Sequence, residues 1–257
     1  NLHRYEAYLL EKGCMCNTVS TYMRRIRCVY NKAIEDGDAE YIPGLFQGVF
    51  TGVESKRKKS LSLENQHKLM TVKVESEVLR ETQLVVCLLF QYAGMSFVDF
   101  AHLKERNIKN GILDYNRQKT GTPMRLEILD TAELMRKELM GDKRPASGYL
   151  FPFLSGTKTG YEAYLEYNAA LSRFNRNLKA LKKAAGIASD VTYYTIRHSF
   201  AMALKEQNVP IEMISELLGH KSIKTTQIYL RSFSLEKMTV VNKSCFENVY
   251  NYMPEVG

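Results

Sequence analysis

At 257 residues, with 45% hydrophobic and 25% charged content, the chain is long enough for one large domain or two smaller ones built around a substantial core. A net charge of +8 and a pI near 9.1 favour a polyanionic partner. Five cysteines without metal-ligand or disulfide spacing read as small hydrophobes in a reduced, cytoplasmic chain. The longest apolar run, LVVCLLF at 84–90, is far short of a membrane span, and no signal peptide is visible.

The segment HRYEAYLLEKG and the following NTVSTYMRRIRCVYNKAIEDG predict two helices. The second is expected to be capped at Asn17 or Thr18. It then carries Val19, Tyr22, Met23, Ile26, Val29, Tyr30 and Ala33 at helical spacing and stops near Gly37. Together they make a small all-helical unit over 1–52. Because the chain starts inside helical periodicity, a preceding segment is expected. GLFQGVFTGVESKRKKSLS then loses periodicity and turns basic, so 53–61 reads as an interdomain linker that phosphates would attract.

The remainder, 62–257, reads as a mostly helical domain with a small sheet. Ser62 caps a helix through LENQHKLM, and a strongly apolar helix runs from about Val78 to Ala93. ILDYNRQ and PMRLEIL flank Lys119-Thr120-Gly121-Thr122, a hairpin in which Met124, Leu126 and Ile128 alternate to one side. Asp130 and Glu133 form a capping-box-like start to a helix ending at Gly141. NAALSRFNRNLKALKKAAG, TIRHSFAMALKEQ and PIEMISELLG complete the helical set. Pro210 suits the first turn of the last of these and Gly219 its left-handed exit.

The basic residues are clustered. Arg24, Arg25 and Arg27 share one helix, Lys56, Arg57, Lys58 and Lys59 form a run, and Arg173, Arg176, Lys179, Lys182 and Lys183 crowd another helix. Three patches fit a protein that surrounds its partner, although each alone is equally a solvated helix face. Several chemistries are missing. SGTKTG at 155–160 lacks the Gly-Lys-Ser/Thr ending of a phosphate loop, and KTG at 119–121 and 158–160 has no SDN companion. Gly94-Met95-Ser96 has Val98 where a nucleophile elbow needs glycine, and the five histidines show no metal-binding spacing. No metal and no nucleotide cofactor are expected.

What remains is Lys119 on a hairpin turn, Arg197 in TYYTIRHSFA, His220 in LLGHKSI and Tyr229 in TTQIYL. In this order and spacing the chain resembles the tyrosine recombinase (phage integrase) family over nearly its whole length. The wording GMSFVD followed by RQKTG is similar to integrases of conjugative transposons and related mobile elements. The resemblance implies a helical core-binding (SAM-like) domain over 1–52 and a catalytic domain over 62–257. It also implies duplex recombination sites as substrate, four protomers on two such sites, and accessory proteins in some systems. Tyr229 would be the nucleophile, Arg197 and His220 phosphate ligands, and Lys119 the general acid. Arg24, Arg25 and Arg27, with the linker lysines and Arg57, would be DNA contacts. The C-terminal SCFENVYNYM would pack on a neighbouring protomer or on its own domain.

Two positions depart from the family pattern. Ser96, in AGMSFVDF, stands where the first catalytic arginine of Thr-Gly-Leu-Arg-x-x-Glu-Leu is expected, and Tyr194 replaces the histidine of His-x-x-Arg. Loss of one charged donor to the transition state costs about 3 kcal/mol. Arg117, two residues before Lys119, is the leading substitute and Arg125 a weaker one. A chain that binds a specific DNA sequence without cutting it is the competing expectation, and a monomeric type IB topoisomerase a third, against which the helical N-terminal unit argues.

Overall fold

The computed structural model describes residues 2–52, 60–143, 148–230 and 235–250, and side chains at a few of these positions, Tyr229 among them, lie outside the description. The chain divides into two compact units, Asn1–Arg57 and Lys58–Gly257. The expected basic run Lys56, Arg57, Lys58 and Lys59 falls outside the described residues.

In the first unit α1 (Leu2–Glu11) packs on α2 (Cys16–Glu35). Leu9, Val19, Met23 and Val49 close a small core. The expected cap at Asn17 or Thr18 is not used. Met15 is the capping position, without a side-chain bond, so the helix starts two or three residues earlier than the polar residues suggested. At the other end Gly37 takes a φ of 80°, the left-handed exit the sequence signalled. Tyr30 Oη donates to Glu40 O and accepts from Ile42 N, which ties the following segment to α2.

The second unit opens with α3 (Leu63–Thr71), where Ser62 Oγ accepts from Asn65 N as expected of a cap. The central helix α4 (Glu77–Gln91) is buried from Thr82 to Leu89, and α3, α6 (Asp130–Met140), α7 (Gly160–Ala184) and α8 (Tyr193–Glu206) pack around it. The short α5 (Phe97–Ala101) is held by two aromatic stacks. Phe97 lies on Phe174 at 4.7 Å between centroids, and Phe100 on Phe151 at 4.1 Å. These stacked residues flank Asp99 in the sequence of α5.

The sheet is antiparallel and three-stranded, in the order β1 (Ile108–Lys109), β2 (Ile112–Asn116), β3 (Pro123–Glu127). The expected hairpin is β2–β3, with Leu113 opposite Leu126 and Tyr115 opposite Met124. The two-residue β1 is too short to leave a period-2 signal and was not anticipated. Asp130 and Glu133 do not form the expected capping box. Leu129 is the capping position, Asp130 is already helical, and Glu133 instead binds Arg136 through both carboxylate oxygens, at 2.7 and 2.6 Å. Pro210 precedes α9 (Ile211–Leu217) as its capping residue rather than sitting inside its first turn. The fold ends with α10 (Ile223–Tyr229) and α11 (Leu235–Tyr250). No helix among the described residues is long and apolar enough to cross a membrane.

Candidate active site

Three polar segments meet in the second unit. The first is the turn between α4 and α5, where Ala93 and Gly94 both adopt left-handed φ values, 55° and 63°. That turn presents the Gly94 carbonyl to Arg197 Nη1 at 2.8 Å. It also places Ser96 at the cap of α5, where its hydroxyl accepts from Asp99 N and donates to Asp99 Oδ2 at 2.6 Å. Gly94 has no room for a side chain, because a Cβ there would lie 2.9 Å from Phe200 Cδ1.

The hairpin is the second segment. Leu113, Tyr115 and Arg117 alternate on its buried side, so the period that faces two apolar side chains inward also turns Arg117 inward. Arg117 is 7% exposed, with Nε 3.5 Å from Asp99 Oδ2 and Nη1 donating to Gly219 O at 2.8 Å. Asp99 Oδ1 accepts from Gln118 N at 2.7 Å. One buried carboxylate therefore grips two consecutive residues of the hairpin. Lys119 stands exposed at the tip, and Arg125 is exposed on β3.

The third segment runs from α9 to α10. Gly219, with φ 61°, ends α9 and brings His220 back over α8. Arg197, 3% exposed, donates from Nη2 to Leu218 O and lies 3.3 Å from His220 Nε2. An arginine can only donate, so Nε2 accepts there and Nδ1 carries the ring proton. Nδ1 faces Thr226 Oγ1 at 2.9 Å, and Thr226 is fully buried on α10, three residues before Tyr229. Tyr229 is the last residue of that helix.

The electrostatics follow from a short inventory. Among the described residues the buried formal charges are Asp99, Arg117 and Arg197. Two buried guanidinium groups that can only donate converge on one turn, an arrangement suited to an anionic ligand. The same charges reach Tyr115: burial pushes its phenol up, Asp99 pushes it further, and Arg197 and Arg117 oppose the rise. Among the described residues no three His, Cys, Asp or Glu side chains gather as a metal site.

Of the sequence-predicted residues, the structure gathers Arg197, His220, Arg117 and Ser96 into one network and puts Lys119 two residues from Arg117. Tyr194 lies in the first turn of α8, 37% exposed, its ring edge-on to His198 at 4.7 Å. Arg24 and Arg25 are exposed on α2, whereas Arg27 stacks on Phe46 with Cζ 4.8 Å from the ring centre. Sequence reasoning missed Asp99 and Thr226. For Asp99 a signal existed: Ser96-x-x-Asp99 is a capping pattern, which announces a short helix and a carboxylate turned back on its own cap. Thr226 carried none.

This helical frame, with a three-stranded sheet and a buried cationic centre, is that of the integrase catalytic fold. Residues 59–236 match the phage integrase family and residues 1–43 the phage integrase SAM-like domain. The chain belongs to the phage integrase family and is a tyrosine-type site-specific recombinase by that membership. Among curated relatives, tyrosine recombinase XerA of Pyrococcus furiosus is 32% identical over 232 residues, covering 89% of this chain and 74% of that protein. XerD of Listeria innocua is 26% identical over 239 residues, 88% of this chain and 75% of that one. XerD of Lacticaseibacillus casei matches more locally, 44% over 69 residues, 24% of its length. In fold the chain is similar to the Tn1549 transposon integrase in complex with a circular intermediate DNA, with a TM-score of 0.70 at 15% identity over 95% of this chain and 84% of that one. It is also similar to a lambda integrase tetramer bound to a Holliday junction, with a TM-score of 0.65 at 16% identity over 91% and 65%.

Proposed function

We propose that the chain cuts and rejoins duplex DNA at specific recombination sites through a 3′-phosphotyrosyl intermediate, with Tyr229 as nucleophile. The observation that carries this reading is the convergence of two buried arginines, Arg117 from the hairpin and Arg197 from α8, on the turn that presents His220 ahead of the helix ending in Tyr229. A free tyrosine has a pKa of about 10, so only roughly one in a thousand is ionised at neutral pH. Cations at the site favour the phenolate and offset the charge on the pentacoordinate phosphorus. Tyr229, as the phenolate after release of its proton to solvent, would attack phosphorus, the bond to the 5′ oxygen would break, and Lys119 would give that oxygen its proton. The phosphotyrosyl ester retains the bond for rejoining by the reverse step, in which the 5′ hydroxyl returns the proton to Lys119.

Arg117 takes the place of the arginine that Ser96 lacks, and Tyr194 supplies a hydroxyl where the family has histidine. Arg24 and Arg25, with the linker residues Lys56, Arg57, Lys58 and Lys59, are proposed phosphate contacts. Arg27 is a poorer candidate because it is engaged with Phe46. For assembly on two sites as a tetramer, the exposed Val240, Val241, Phe246 and Val249 of α11 are the surface that would seek a neighbouring protomer.

The test uses nicked suicide DNA bearing the ends of the mobile element. A covalent protein–DNA band that disappears in Tyr229→Phe establishes the chemistry. Tight binding in a gel shift, with no band from wild type, overturns it in favour of a non-cutting DNA-binding protein, the reading that Ser96 motivates.

A further inference from the structure

Leu61 is the first buried residue of the second unit among those described. Its amide donates to Ser199 Oγ at 2.9 Å, across 138 positions of sequence. Its carbonyl accepts from Gln66 Nε2 at 3.0 Å, its side chain lies in the main core, and Ser62 next to it caps α3. The chain arriving from residue 60 is thus fastened at one point on α8. Ser199 is 1% exposed, and its hydroxyl also donates to Thr195 O at 2.8 Å. Thr195 in turn forms the reciprocal cap of α8 with Thr192. Arg197 lies midway between Thr195 and Ser199.

A helical serine that bonds back to the carbonyl four residues earlier is a common way to satisfy a buried hydroxyl, and by itself means nothing more. Here the same oxygen also receives a distant backbone amide, which back-bonding does not require. One hydroxyl therefore joins the end of the linker to the turn of α8 that aims the Arg197 side chain at Gly94 O, Leu218 O and His220.

We propose that Ser199 is a positioning residue that couples the Leu61 backbone to the turn of α8 carrying Arg197, so that loss of this tie slows strand cleavage without weakening DNA affinity. The inference rests on the strand-cleavage reading above. A partner for the chemistry is not needed to see the tie itself, so two measurements separate the two ideas.

In the full chain without DNA, hydrogen exchange of the Leu61 amide and of residues 192–197 reads the tie directly. Ser199→Ala is expected to speed both together, and Ser199→Thr, which keeps the hydroxyl, to speed them less. Exchange at 192–197 that is unchanged in Ser199→Ala overturns the coupling. On nicked suicide DNA, Ser199→Ala is expected to bind within about two-fold of wild type and to form the covalent adduct about ten-fold more slowly. An adduct rate equal to wild type, or affinity and adduct falling in step, overturns the positioning role. If wild type forms no adduct while the exchange result holds, the cleavage reading fails and with it the proposed consequence for Arg197, leaving Ser199 a structural tie.

Discussion

Arg117 and Arg197 hold adjacent carbonyls of one turn: Arg117 Nη1 donates to Gly219 O at 2.8 Å and Arg197 Nη2 to Leu218 O. The turn they share presents His220, so a hairpin arginine and a helix arginine converge on the same backbone. Asp99 completes the arrangement by holding Arg117 and Gln118 from beneath.

The first consequence concerns Arg117. Arg117→Ala is expected to reduce covalent adduct on suicide DNA by about a hundred-fold or more. It also strands the buried Asp99 carboxylate, at about 3–5 kcal/mol of stability. Arg117→Lys keeps the charge but loses the fork, and is expected to fold well and cleave poorly. Adduct rate per folded molecule, with affinity from a gel shift, separates the two effects.

Ser96 has the milder role. Ser96→Ala removes the cap of α5 and the 2.6 Å bond to Asp99, with an expected loss of about 1 kcal/mol in denaturant unfolding. Cleavage is expected to fall only a few-fold, because Arg117 remains the charged group. A loss as deep as that of Arg117→Ala would place the catalytic donor at Ser96 instead.

Gly219 tests the turn itself. With φ at 61° and a hypothetical Cβ 2.5 Å from Met124 Sδ and 2.6 Å from Arg117 Cδ, Gly219→Ala is strained by conformation and by contact. Conformation alone contributes roughly 1–2 kcal/mol. The contact falls on the arginine, so the adduct rate is expected to drop further than the melting temperature implies. The double variant with Arg117→Ala is expected to lose less stability than the sum of the two single losses, because the contact with Arg117 is gone.

Thr226 sets the ring of His220. Thr226→Val keeps shape and removes the hydroxyl that faces Nδ1 of the half-buried His220 ring. Cleavage is expected to slow about ten-fold with unchanged DNA affinity, and Thr226→Ser to retain activity. Single-turnover rates on the suicide substrate provide the check.

The core predicts an alkaline limit. Burial raises the Cys87 thiol from 9.0 to about 11, opposed by Arg80, and the Tyr92 phenol from 10.0 to about 12, opposed by Arg136. Both groups stay protonated in the folded chain while the unfolded chain ionises first. Their contribution is whole below pH 9 and is lost as pH rises through about 11 for Cys87 and about 12 for Tyr92. Unfolding midpoints measured from pH 8 to 11 are expected to fall, on the order of 2 kcal/mol for Cys87 alone, and less in Cys87→Ala relative to its own value at pH 8.

Much of this architecture was readable in advance because its signals are local. Apolar residues at helical spacing marked α2 and α4, and alternation around Lys119-Thr120-Gly121-Thr122 marked the hairpin. The misreadings were local too. Polar residues near a helix start, such as Thr18 or Asp130, compete for the capping position, and packing rather than hydrogen-bonding preference decided among them.

From sequence alone came the helical class with its small sheet, and the order in which Lys119, Arg197, His220 and Tyr229 follow one another. Those features depend on residue type and short spacing, which a linear chain displays. Only the tertiary structure decided that Arg117 reaches Gly219, that Asp99 holds it, that Arg197 meets Gly94, and that Ser199 meets Leu61. The contacts involved join residues 18, 102, 103 and 138 positions apart. Separations of that size leave no periodicity to read, because they are set by how α4, α5, α8 and the hairpin pack around one core.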